Sequence, residues 1–76
     1  MFQKWKLQSE IRKCKKKIAP IEKRRARSQA ALVEAILTHQ MPDSDDVDYF
    51  NMFTGQIEVE RAKVHAYIKQ LEELSK

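Results

Sequence analysis

The tract Met41-Pro42-Asp43-Ser44-Asp45-Asp46 is the one strong interruption in this 76-residue chain. Pro42 pushes Met41 out of the helical region, and Asp43 or Ser44 can then accept a hydrogen bond from the first free amides of a new helix. Asp45, Asp46 and Asp48 follow at the start of that helix, where negative charge complements the positive end of the helix dipole. A turn this short between two long periodic stretches dictates two antiparallel neighbours.

Upstream of the turn, Leu7, Ile11, Cys14, Ile18, Ile21, Arg25, Ser28, Leu32, Ala35 and His39 recur with alternating spacings of four and three, the mark of one coiled-coil seam. This predicts a first helix over about residues 2–40. Pro20 falls inside it, which implies either a kink or two helices abutting near Ala19; the unbroken phase favours the kink. Downstream, the heptad row Phe50, Ile57, Val64, Leu71, flanked by Val47, Phe53, Tyr67, Ile68 and Leu74, predicts a second helix over about 44–75. The turn is expected at about 41–44. With one Gly and two Pro, the chain has little punctuation for strands or long loops. Gly55 inside the second helix costs roughly 1 kcal/mol relative to Ala.

The expected fold is therefore all-α: residues 1–76 form a single helical-hairpin domain, coiled-coil-like, with residue i beside roughly residue 84 − i. That register sets Ile11 near Leu74, Ile18 near Val64 and Tyr67, and Leu32 near Phe50 and Phe53. It also brings Arg24, Arg25 and Arg27 toward Glu58 and Glu60 as a salt-bridge belt. A hairpin of this size buries a small core, so self-association into a homo-oligomeric helical bundle is expected. The single Cys14 excludes an intrachain disulfide, and its place on an apolar seam suits a reducing cytoplasm. No apolar run approaches the roughly 18 residues that span a bilayer, and the opening residues lack a signal-like apolar core.

Two surfaces call for partners. From Ala30 to Leu37 nearly every helical face is apolar, more than one neighbouring helix can cover. With the facing aromatics this gives a candidate interface, for self-association or for a different protein, of Leu32, Val33, Ile36, Leu37, Tyr49, Phe50, Phe53 and Ile57. The other surface is basic. Residues 4–27 carry eleven Lys or Arg against two Glu, a net +9, while residues 28–76 carry four against nine, a net −5. So dense a like-charged stretch costs self-repulsion, and natural surfaces usually intersperse signs. The candidate anion-binding residues are Arg12, Lys13, Lys15, Lys16, Lys17, Lys23, Arg24, Arg25 and Arg27.

The sequence gives enzymatic chemistry no support: two rods of helix offer no obvious concavity in which a nucleophile, a base and oxyanion donors could converge. No cofactor is expected, since a single Gly rules out phosphate-binding glycine loops and dinucleotide fingerprints. Asp43 and Asp45 match the first and third positions of a calcium loop, but Val47, Asp48 and Thr54 break the pattern, so no metal is expected. His39 and His65 are expected some 16 residues apart along the hairpin, about 24 Å, too far to share a proton or a metal. Arg25 sits on the seam where Ile or Leu would be usual, a device that fixes register or oligomeric state. In an oligomer, clustered Arg25 side chains, with Arg61, could hold phosphate groups. Phe2, Trp5 and Leu7 among Lys4 and Lys6 are similar to the start of an interfacial helix, though Trp5 is expected to cover the open end of the bundle near Leu74.

In shape the expected hairpin resembles short helical hairpins that dimerise into four-helix bundles, among them plasmid copy-number regulators that bind RNA through an exposed bundle face. No sequence motif is shared, and no residue role carries across. The function expected first is a small non-enzymatic adaptor or regulator that self-associates and engages an anionic partner, nucleic acid foremost, through its basic helix. The alternatives are a protein-binding inhibitor or scaffold that uses the Ala30–Leu37 surface, and sequestration of a small anionic ligand such as a nucleotide at an oligomer interface. Membrane-surface binding ranks last, because the basic helix spends its apolar stripe on helix two.

Overall fold

The computed structural model describes residues 2–75 as two helices, α1 (Phe2–Leu37) and α2 (Ser44–Leu74), packed against each other with no strand among the described residues. The hairpin is a rod of 56 × 17 × 16 Å. A cross-section that narrow holds two helices and nothing else, so the only interior is the seam between them. α1 runs through Pro20 as one helix and is not divided near Ala19.

The first helix stops three residues before the expected end, and the reason lies in its cap. His39 adopts a left-handed conformation (φ 58). The Gln40 N–H then donates to the Ala35 carbonyl at 2.8 Å and the His39 N–H to the Ile36 carbonyl at 3.1 Å, the paired bonds of a Schellman motif. The Thr38 hydroxyl adds a bond to the Glu34 carbonyl at 2.9 Å. At the other side of the turn Asp43 is the N-cap, its Oδ1 accepting from the Asp45 N–H at 2.9 Å, with Asp45 and Asp46 in the first turn of α2. Among the described residues no three His, Cys, Asp or Glu side chains gather as metal ligands.

The turn therefore spans residues 38–43, and the register falls a few residues short of the 84 − i rule. Leu7 and Leu74 line one groove, Ile18 and Val64 another, and Glu22 meets Arg61. Leu74 thus keeps company with Leu7. Trp5 does not cover the open end either: it is 66 % exposed.

The seam forms where its periodicity puts it. Leu7, Ile11, Ile18, Ile21, Arg25, Leu32 and Ala35 are half-buried and Cys14 and Ser28 buried, whereas His39, outside the helix, is exposed. On α2, Phe50, Phe53, Val64, Tyr67 and Leu71 are half-buried, and Ile57 is enclosed completely at 0 % exposure. Val47, Ile68 and Leu74, expected as flanks, lie at the exposed edge of the seam. No helix among the described residues is long and apolar enough to cross a membrane.

Candidate anion-binding face and apolar surfaces

The basic face is positioned by α1 alone. Because the seam takes only every third or fourth side chain, the cations between its members must point outward. Lys4, Lys6, Arg12, Lys13, Lys15, Lys16, Lys17, Lys23, Arg24 and Arg27 are all exposed, and only Arg25, on the seam, is half-buried. Among the described residues one of these eleven cations makes an ion pair: Lys13 Nζ lies 3.4 Å from Glu10 Oε1. The expected belt joining Arg24, Arg25 and Arg27 to Glu58 and Glu60 does not form. Glu60 instead pairs along its own helix with Lys63 at 3.3 Å. The ion pair between the helices has the opposite polarity, Arg61 donating to Glu22 Oε1 at 2.8 Å. A phosphate site built from Arg25 with Arg61 would have to compete with that bond.

Glu60 is a seam residue that the apolar pattern passes over, although its place between Ile57 and Val64 in the three-and-four spacing marks it. It faces Cys14 across the hairpin. Burial first, then the neighbouring Glu60 carboxylate, pushes the Cys14 thiol above its ordinary value of 9.0. The Cys14 thiol as a donor, with Lys63 assisting, holds Glu60 below the ordinary 4.5 against the effect of desolvation. Glu60 Oε2 nevertheless meets no hydrogen-bond partner at full bonding geometry, so the thiol is a close neighbour and not a well-formed donor. Burial and the raised pKa both work against thiolate formation at Cys14.

The apolar candidates divide into two groups. Ile57 is sealed inside the hairpin and is unavailable to a partner, while Leu32, Phe50 and Phe53 are half-buried in the seam. Val33, Ile36, Leu37 and Tyr49 are exposed, Ile36 at 63 % and Leu37 at 72 %. Tyr49 stacks on Phe53 with ring centroids 6.1 Å apart. Among the described residues, seven of the eleven large exposed hydrophobic side chains fall between Val33 and Met52, so the half of the rod nearest the turn carries most of their unburied apolar surface.

A groove of ≈ 720 Å³ runs along one side of the rod where Pro20 and Ile21 of α1 meet Met52, Gly55 and Val59 of α2. Sequence reasoning did not single it out, because it is formed by side chains of both helices that lie beside the seam and not on it. A Cβ added at Gly55 would meet nothing within 4 Å. Comparison of the chain with protein families, with curated proteins and with solved structures finds no match.

Proposed function

We propose that this hairpin is a small, non-enzymatic, cytoplasmic adaptor or regulator that self-associates and engages nucleic acid through the basic face of α1. The observation that carries this reading is the set of ten exposed cations on one helix, of which only Lys13 has a carboxylate partner among the described residues. Unpaired surface cations release condensed counterions when they meet phosphates, which supplies affinity with little sequence preference. Self-association draws support from surface area. A compact monomer of 9.0 kDa exposes about 4,900 Å², whereas this chain exposes 6236 Å². The surplus exceeds the ~800 Å² that each partner loses in an ordinary stable interface. A bend of α1 at Pro20, where the ring leaves the Lys16 carbonyl without its usual donor, belongs to the same reading.

Binding to mixed-sequence duplex and single-stranded nucleic acid, followed by fluorescence anisotropy between 50 and 500 mM salt, tests the proposal. Affinity should fall steeply with salt, and replacement of Lys15, Lys16 and Lys17 by Glu should weaken it on every sequence alike. Affinity that ignores salt, or that survives the triple reversal, ends the nucleic-acid reading.

The exposed trio Val33, Ile36 and Leu37 favours a second reading, a protein-binding inhibitor or scaffold. In that case substitution of the trio by Ser abolishes partner capture and leaves nucleic-acid binding unchanged.

A further inference from the structure

We infer that the groove beside Gly55 receives a second copy of this chain, antiparallel to the first, with the acidic turn of each copy laid along the Lys13–Lys17 stretch of the other. This rests on the self-association reading above, shares Lys13, Lys16 and Lys17 with the basic face of α1, and is tested on the protein without nucleic acid.

Gly55 lies inside α2, on the wall of the groove. Glycine is the poorest helix former after proline, and nothing within 4 Å occupies the space a Cβ would take. The hairpin's own packing therefore does not require a glycine there. The open space there leaves room for a helix approaching from outside, and a missing Cβ lets two backbones come close. Around Gly55 the groove offers Met52, Val59, Pro20 and Ile21 as apolar walls, with Lys17 at its edge. It remains open in the isolated hairpin, and the surplus of exposed surface is enough to supply a stable dimer interface.

Charge selects the occupant and its direction. Between Arg27 and Arg61 the chain has no Lys or Arg, and the end of its turn and the start of α2 carry Asp43, Asp45, Asp46 and Asp48. A parallel pair would set two acidic turns side by side and two basic stretches side by side, both unfavourable. In an antiparallel pair with its twofold axis at Gly55, Asp45 lies ten residues, roughly 15 Å, beyond the axis. It then comes level with residue 65 of the other copy. That level carries lysines: Lys15 and His65 line one groove, Lys63 is two residues away on α2, and Lys17 lines the Gly55 groove itself. The acidic turn thus reaches Lys13, Lys16, Lys17 and Lys63 of the opposing copy. Lys15, in the groove on the opposite side of the seam, stays open to an anion.

The test uses the full chain with Cys14→Ser as background, and circular dichroism to confirm the helices. Gly55→Cys, placed in open space, should form a covalent dimer under glutathione disulfide, whereas Ser44→Cys near the turn should not. In parallel, sedimentation equilibrium of the Asp45→Lys, Asp48→Lys double variant should show a dimer dissociation constant raised about tenfold or more. Adding Lys16→Glu and Lys17→Glu should restore it. A dimer that crosslinks at Ser44→Cys and not at Gly55→Cys, or that ignores the charge swaps, overturns this arrangement and leaves self-association standing. A chain that is monomeric up to millimolar concentration overturns both, whatever its affinity for nucleic acid.

Discussion

From Ser28 to Glu60 the chain has seven carboxylates and neither Lys nor Arg, whereas residues 4–27 hold eleven cations against two Glu, yet one continuous seam runs through both regions. The half of the rod near the turn leaves Val33, Ile36, Leu37, Met41, Tyr49 and Met52 uncovered, and the basic half leaves charge uncovered. Two helices bury one narrow stripe each, so what varies between the halves is the chemistry left outside. The difference teaches that this fold is specified by a shared seam, while the contrast between its halves is written in the unshared faces.

The largest effect that sharpens the comparison is expected at Ile57. As the one completely enclosed side chain among the described residues, its replacement by Ala should cost about 2–5 kcal/mol, read as a lower urea midpoint. Ile36→Ala, at a site 63 % exposed, should stay within about 0.5 kcal/mol in the single hairpin. A cost at Ile36 approaching that at Ile57 would show that the turn-side surface is covered, and would erase the distinction between the halves.

Smaller effects come from the turn. Asp43→Ala removes the side chain that accepts the Asp45 N–H and should cost about 1 kcal/mol in thermal unfolding. His39→Gly acts in the opposite direction: a left-handed backbone at a residue with a Cβ is relieved by glycine, for a gain of roughly 0.5–1 kcal/mol. Loss of stability on His39→Gly would mean that the imidazole has a role beyond the cap.

The smallest expected effect lies in the basic half, at the Cys14–Glu60 contact. Glu60 is depressed in the fold, so its contribution is present above its ordinary 4.5 and is lost as pH falls through the folded value. Cys14 is raised, so its contribution is whole below 9.0 and is lost as pH rises through the folded value. The melting temperature should therefore be flat between about pH 5 and 8.5 and decline on both sides, with the alkaline decline reduced in Cys14→Ala. An unchanged alkaline limb in that variant would exclude the thiol as its cause.

The seam was legible because helical periodicity depends on the order of residues alone. From Leu7 to Ala35 every expected position turned inward, Arg25 and Ser28 included. Asp43 was legible as a cap for the same reason, since the bond it accepts is local. The end of α1 was not, because nothing in Thr38-His39-Gln40 carries the usual glycine signal of a left-handed cap. Glu60 was missed as a seam member because an apolar pattern passes over carboxylates. The direction of the cross-helix ion pair was missed because a small shift in register exchanges which side chains meet.

The sequence by itself determined two helices, their antiparallel sense, the apolar stripe that joins them and the separation of charge along the chain, all of which follow from local periodicity, capping and composition. Only the tertiary structure decided which side chains the stripe could enclose and which it could not. Burial is a property of two surfaces meeting: Ile57 is sealed while Ile36 is bare, and a groove stands open at Gly55, because a rod two helices wide has room for a single seam.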